Sequence, residues 1–124
     1  MNTEKAELFT PAPEWSGRSD GPGPEHARWH SVINQSTESP APVTLLGFAS
    51  DEGVLRNGGR QGAAAGPAAL RSALGSLAVH HEHALADAGT ITTQADDLDG
   101  AHNALSDKVQ ELVAAGSLPI VLGG

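Results

Sequence analysis

Two short, almost unbroken apolar runs constrain this chain most: VTLLGFA at Val43–Ala49 and LPIVL at Leu118–Leu122. Neither alternates polar and apolar residues, so each reads as a strand covered on both faces, as in a parallel sheet. Pro119 fits near the start of the second strand, where a missing N–H costs least. Parallel strands need crossover connections rather than tight turns, and the intervening sequence offers them. Pro67–Leu74 reads as a helix, with Pro67 at its opening and Gly75 past its end. A second helix runs from a cap at Asp96 or Asp97 to about Ala115. In it Leu98, Ala101, Leu105, Val109, Leu112 and Val113 recur on one face at three- and four-residue spacing. Asp96, Asp97 and Asp99 lie at the positive end of its dipole, and Gly116 ends it. Between the helices, Ser76–Thr93 holds one or two short strands, Ala78–His81 and Ala84–Ala88. The order strand–loop–helix–strand–helix–strand predicts an α/β fold with right-handed crossovers and a mostly parallel sheet.

The first 42 residues differ in kind. Pro11, Pro13, Pro22, Pro24, Pro40 and Pro42 break any long element, leaving one short helix candidate, Glu25–Asn34, with Pro24 placed for its first turn. Such a stretch could be a disordered leader, but Trp15 and Trp29 are costly to leave exposed. The chain therefore divides into a Pro/Gly-rich segment, 1–42, and an α/β unit, 43–124.

Charge and composition exclude several classes of partner. The formal net charge of −8 argues against non-specific binding to nucleic acid or to an anionic membrane surface. With no cysteine there is no disulfide, thiol nucleophile or thiolate metal ligand. No stretch approaches the length of a transmembrane helix, and the first ten residues, MNTEKAELFT, lack the apolar core of a signal peptide. A cytoplasmic protein is the default expectation.

Three clusters could carry chemistry. His80, His81, Glu82 and His83 lie together, and on a strand His81 and His83 would share a face as a two-ligand arrangement; the plainer reading is a solvated connection. Asp96, Asp97 and Asp99 could meet a hard cation, but helix capping accounts for them more simply. The long loop Ser50–Gly66, SDEGVLRNGGRQGAAAG, follows a strand and precedes a helix. It has neither the Gly-Lys-Ser/Thr of a P-loop nor dinucleotide spacing. Long glycine-rich loops at the C-terminal ends of strands tend to be functional. Arg56 and Arg60 could present planar guanidinium forks to a carboxylate, or Arg60 could tie the loop to nearby backbone or acidic groups.

The stretch GFASDEGVLRNGGRQGAAAGPAALRSAL, Gly47–Leu74, resembles the N-terminal part of the ureohydrolase family, which includes arginase, agmatinase and formimidoylglutamase. The shared pattern is carried by Gly59, Gly62, Ala63, Gly66, Pro67 and Arg71. WSGRSD at Trp15–Asp20, HARWHSVI at His26–Ile33 and SDEGVLRNGGR at Ser50–Arg60 look most like the formimidoylglutamase branch, and the tail ending in LPIVLGG matches as well. The resemblance implies the N-terminal portion of a three-layer α/β/α fold. It also implies hydrolysis of a C–N bond in a linear amidine, N-formimidoyl-L-glutamate in that branch, as a late step of histidine breakdown. Two manganese ions would act there by lowering the pKa of bound water. Arg56, Asn57 and Arg60 become candidates for binding the glutamate moiety. In the family the metal ligands lie beyond the Leu-Gly-Gly segment. The resemblance thus implies that 43–124 is an incomplete domain, that no catalytic or metal residue maps onto this chain, and that the chain alone is inactive. A small-molecule substrate, no nucleic acid, no membrane and a possible homo-oligomer complete the expectation. Two alternatives stay open: another guanidine hydrolase of agmatinase type, and a non-catalytic α/β module that binds a partner.

Overall fold

The computed structural model describes residues 8–35 and 41–124. The absence of an apolar leader over residues 1–7 and the break at Pro40 lie outside the described residues. Strands β1 (Phe9–Thr10), β2 (Val43–Ala49), β3 (Leu85–Thr92) and β4 (Leu118–Leu122) form one sheet in the order β1–β3–β2–β4. β2 runs parallel to both β3 and β4, and β1 adds an antiparallel edge to β3. The α-helices among the described residues are α1 (Trp29–Val32), α2 (Glu52–Arg56), α3 (Gly66–Leu74) and α4 (Leu98–Ala114).

The central strands β2 and β3 are covered on both faces, which is why β2 reads as a continuous apolar run. On one face Leu46, Phe48, Ala88 and Ile91 pack with Ala101, Ala104 and Leu112 of α4. On the other, Leu45 and Leu85 pack with Trp15, backed by Trp29, Ile33 and Leu74. Full burial of side chains such as Leu46 contributes about 1.5–3 kcal/mol each. The result is a layered α/β arrangement: α4, then the sheet, then α3 together with the N-terminal segment.

The ends of α4 follow local rules. Asp97 Oδ1 accepts the Gly100 N–H at 2.9 Å. At the other end Gly116 N–H bonds the Val113 carbonyl and Ser117 N–H the Leu112 carbonyl, both at 3.0 Å, closing a Schellman motif.

Other elements depart from expectation. The helix expected over Glu25–Asn34 is split into a 3₁₀ turn, Pro24–His26, and the short α1. Ala27 and Arg28 are extended between them because this backbone pairs with a distant segment: Trp29 N–H bonds Leu77 C=O at 2.9 Å and Val79 N–H bonds Ala27 C=O at 3.1 Å. That same pairing is all that forms of the expected strand Ala78–His81, an isolated bridge at Ala78. The strand expected at Ala84–Ala88 instead covers Leu85–Thr92. The loop expected over Ser50–Gly66 contains α2 and a 3₁₀ turn, Ala63–Ala65. On α4, Ala104 and Leu112 are buried while Val113, one residue and about 100° round the helix from Leu112, is 58% exposed. β4, expected to be buried, lies at the edge of the described sheet, where Leu118 is 61% exposed and Ile120 and Val121 also face outward.

A one-residue bulge in β3 organises the α3 face. Leu45 pairs with Asp87 but Gly47 with Thr90, so β3 advances one residue more than β2. Gly89 sits in this irregularity at φ +108, and a Cβ there would lie 2.5 Å from the Thr10 carbonyl oxygen. The extra residue brings Asp87 and Thr90, which a regular strand would point to opposite faces, onto the same side beneath α3.

Candidate functional site

The glycine-rich connection leaves the C-terminal end of β2 and is held by Asp51. Its Oδ1 accepts the N–H groups of Gly62 at 3.0 Å and Ala64 at 2.9 Å. Those two bonds, Ala64's the larger, hold the Asp51 carboxyl below its ordinary value of 3.8. Gly62 reaches this position at φ +148, a conformation open to glycine. Ser50 Oγ accepts the Glu52 N–H at 3.2 Å as α2 begins, and Gly59 N–H returns to the Val54 carbonyl at 2.8 Å after it ends.

The three residues singled out from the sequence occupy this loop in different states. Arg56 is engaged: its Nε pairs with Glu52 Oε1 at 3.1 Å and its Nη2 donates to the Asp96 carbonyl at 2.9 Å, tying the β2 loop to the start of α4. Asn57 is exposed beside it. Arg60 is exposed, and among the described residues its guanidinium has no hydrogen-bond or ion-pair partner. One loop therefore presents a neutralised cation and an unpaired one at the C-terminal end of the parallel strands. An unpaired guanidinium there can take a carboxylate in a bidentate bond.

A second polar centre went unread in the sequence. Arg71 of α3 is buried against Asp87 of β3, with Nε–Oδ2 at 2.8 Å and Nη2–Oδ1 at 2.9 Å. Trp15 Nε1 and the Gly89 N–H supply the other two bonds to the carboxylate, at 2.8 and 2.9 Å. Arg71 also donates to Thr90 Oγ1 and the Gly89 carbonyl. Beside this centre, between the N-terminal segment and α3, lies a cavity of about 370 Å³ whose walls include Thr10, Trp15, Pro67, Arg71 and Thr92. Arg56, Asn57 and Arg60 do not line it. Arg71 stood out only as part of the family pattern, and nothing local marks Asp87 as its partner, because the two meet only through the fold.

The histidines form no ligand set. His81 and His83 stack at 4.3 Å, with each Nδ1 near a backbone carbonyl, those of His83 and Ala84 respectively. Among the described residues no group of three or more His, Asp or Glu side chains comes together to hold a metal ion. These residues therefore do not fit a manganese pair. No described helix is long and apolar enough to cross a membrane.

A mixed sheet whose central strands β2 and β3 are covered on both faces, with a glycine-rich loop at the C-terminal end of β2, defines an α/β protein. Residues 41–124 match the arginase family, and the chain belongs to it. It is 50% identical over 113 residues to the formimidoylglutamase of Corynebacterium efficiens, covering 89% of this chain and 36% of that protein. It is 46% identical over 116 residues to the Nocardia farcinica formimidoylglutamase, covering 92% of this chain and 37% of the relative. Among solved structures it resembles Trypanosoma cruzi formiminoglutamase with Mn²⁺, with a TM-score of 0.68 and 38% identity over 79% of this chain and 35% of that one. The chain thus spans little more than a third of the length of the relatives it matches, over their N-terminal part.

Proposed function

We propose that this chain supplies the substrate-facing glycine-rich loop of a formimidoylglutamase. The reaction adds water across the amidine carbon of N-formimidoyl-L-glutamate and breaks its bond to the glutamate nitrogen, releasing L-glutamate and formamide. The observation that carries the reading is Arg60, exposed and without a partner among the described residues, on a loop pinned at the C-terminal end of the parallel strands, in a chain 50% identical over 113 residues to a formimidoylglutamase. Arg60 receives a substrate carboxylate. Arg56 braces the loop, and Asn57 offers an amide alongside.

Manganese dependence belongs to this proposal and is supported by the metal in the Trypanosoma cruzi enzyme. Among the described residues no three His, Asp or Glu side chains gather to hold a metal, and the role proposed for the loop is to bind and orient substrate. A cytoplasmic setting and a place in histidine breakdown go with the same reaction.

The test is formamide release with manganese. A polypeptide of the relatives' full length that carries these residues is expected to release formamide from N-formimidoyl-L-glutamate, and the 124-residue chain alone is expected to release none. In the full-length polypeptide, Arg60→Ala should raise KM at least about tenfold, the size of a lost charged hydrogen bond. Preferential hydrolysis of agmatine, or an unchanged KM in the Arg60 variant, would sink the reading.

A further inference from the structure

Arg60 can serve as a carboxylate receptor only if its backbone is held still, and the loop shows what holds it. On the N-terminal side, Gly59 is bonded to the Val54 carbonyl at 2.8 Å, directly after α2. On the C-terminal side, Gly62 is bonded to Asp51 Oδ1 at 3.0 Å, and Ala64 to the same oxygen at 2.9 Å. Arg60 and Gln61 are the only residues between these two anchors. Asp51 also supplies the carbonyl that accepts the Leu55 N–H at 2.9 Å, so one residue starts α2 and fastens the returning limb. Its carboxyl, held below the ordinary 3.8 by the Ala64 and Gly62 N–H bonds, stays ionised and accepting throughout the neutral range.

We infer that Asp51 is a positioning residue for substrate recognition: its carboxylate fixes the segment that presents Arg60 to the carboxylate of an amidino-acid substrate. This rests on the reading of Arg60 given above. Without the Asp51 bonds, Gly58, Gly59 and Gly62 leave the segment free to sample many conformations. Binding must then reorder it, and a misplacement of about 1 Å in a positioning group is enough to weaken productive binding substantially. The loss falls on substrate affinity, because the Asp51 carboxylate is spent on the Gly62 and Ala64 N–H groups that flank Arg60.

The experiment is a double-mutant cycle in the manganese-loaded, full-length polypeptide carrying these residues, with amide hydrogen exchange read on the same samples. Asp51→Ala is expected to expose the Gly62 and Ala64 amides to exchange and to raise KM about tenfold, with kcat changed less than about twofold. Asp51→Asn keeps an accepting oxygen and carries the same test should Asp51→Ala fail to fold. It should retain amide protection and recover most of the lost affinity. In an Arg60→Ala background, Asp51→Ala should add little further increase in KM, because the two act as one unit. Fully additive KM effects, or faster exchange at Gly62 and Ala64 with unchanged KM, would overturn the positioning role while leaving Arg60 as receptor. An Arg60→Ala variant with unchanged KM would overturn the carboxylate reading itself, and the positioning role with it.

Discussion

Arg71 and Asp87 meet through two parallel hydrogen bonds of 2.8 and 2.9 Å between α3 and β3, and both side chains are buried. Trp15 and the Gly89 N–H fill the remaining acceptor positions of the carboxylate, so the pair is satisfied rather than stranded. Such a pair is costly to break on one side only, because the surviving charge stays buried. Asp87→Ala should destabilise the fold by about 3–5 kcal/mol. Replacing both partners with apolar residues of similar volume should cost less than the single change. Urea denaturation of the single and double variants measures the difference, and equal losses would refute this account.

Gly89 is fixed by its φ of +108 and by the Thr10 carbonyl 2.5 Å from where a Cβ would lie. Gly89→Ala should therefore cost on the order of 2 kcal/mol through backbone strain. It should also loosen β1, the strand it touches. The Thr92 N–H, bonded to the Leu8 carbonyl at 2.7 Å, would then exchange faster. Wild-type exchange at Thr92 in this variant would show that the bulge tolerates a side chain.

Asp51 gives a pH dependence whose sign is defined. Its folded-state value lies below 3.8, mainly through the Ala64 N–H and then the Gly62 N–H. A group depressed in the folded state stabilises fully above its unfolded value and loses that contribution as pH falls through the folded one. Loop protection should thus be flat from neutrality down to about 4 and decline only below the ordinary carboxylate range. Titration of the Asp51 carboxyl carbon by NMR, with exchange at Gly62 and Ala64 followed alongside, checks both. A midpoint at or above 3.8 would contradict it.

Asp97→Ala removes the acceptor for the Gly100 N–H at the start of α4 and should cost about 1 kcal/mol. Asp97→Asn should recover most of that, since the amide oxygen still caps. Thermal melts of the two variants distinguish capping from a general charge effect.

The sequence by itself determined the elements whose rules are local. Helix α4 was legible from its apolar spacing, with Asp97 at one end and Gly116 at the other, because caps and periodicity involve residues within a turn or two. β2 and β4 were legible as apolar runs and the parallel order as the alternation of elements, and the letters from Gly47 to Leu74 carried the family. Tertiary structure decided what depends on distant partners. Pairing with Leu77 and Val79 split the helix expected over Glu25–Asn34, since those backbone bonds outweigh a short helix's weak propensity. The bulge at Gly89 turned Asp87 and Thr90 to one side, so that Arg71 found both, which no periodicity in β3 announces. Arg56 and Arg60 are alike as letters on one loop. Only the fold placed Glu52 and the Asp96 carbonyl against the first and left the second without a partner among the described residues, because neutralising a charge depends on what the folded chain brings within reach.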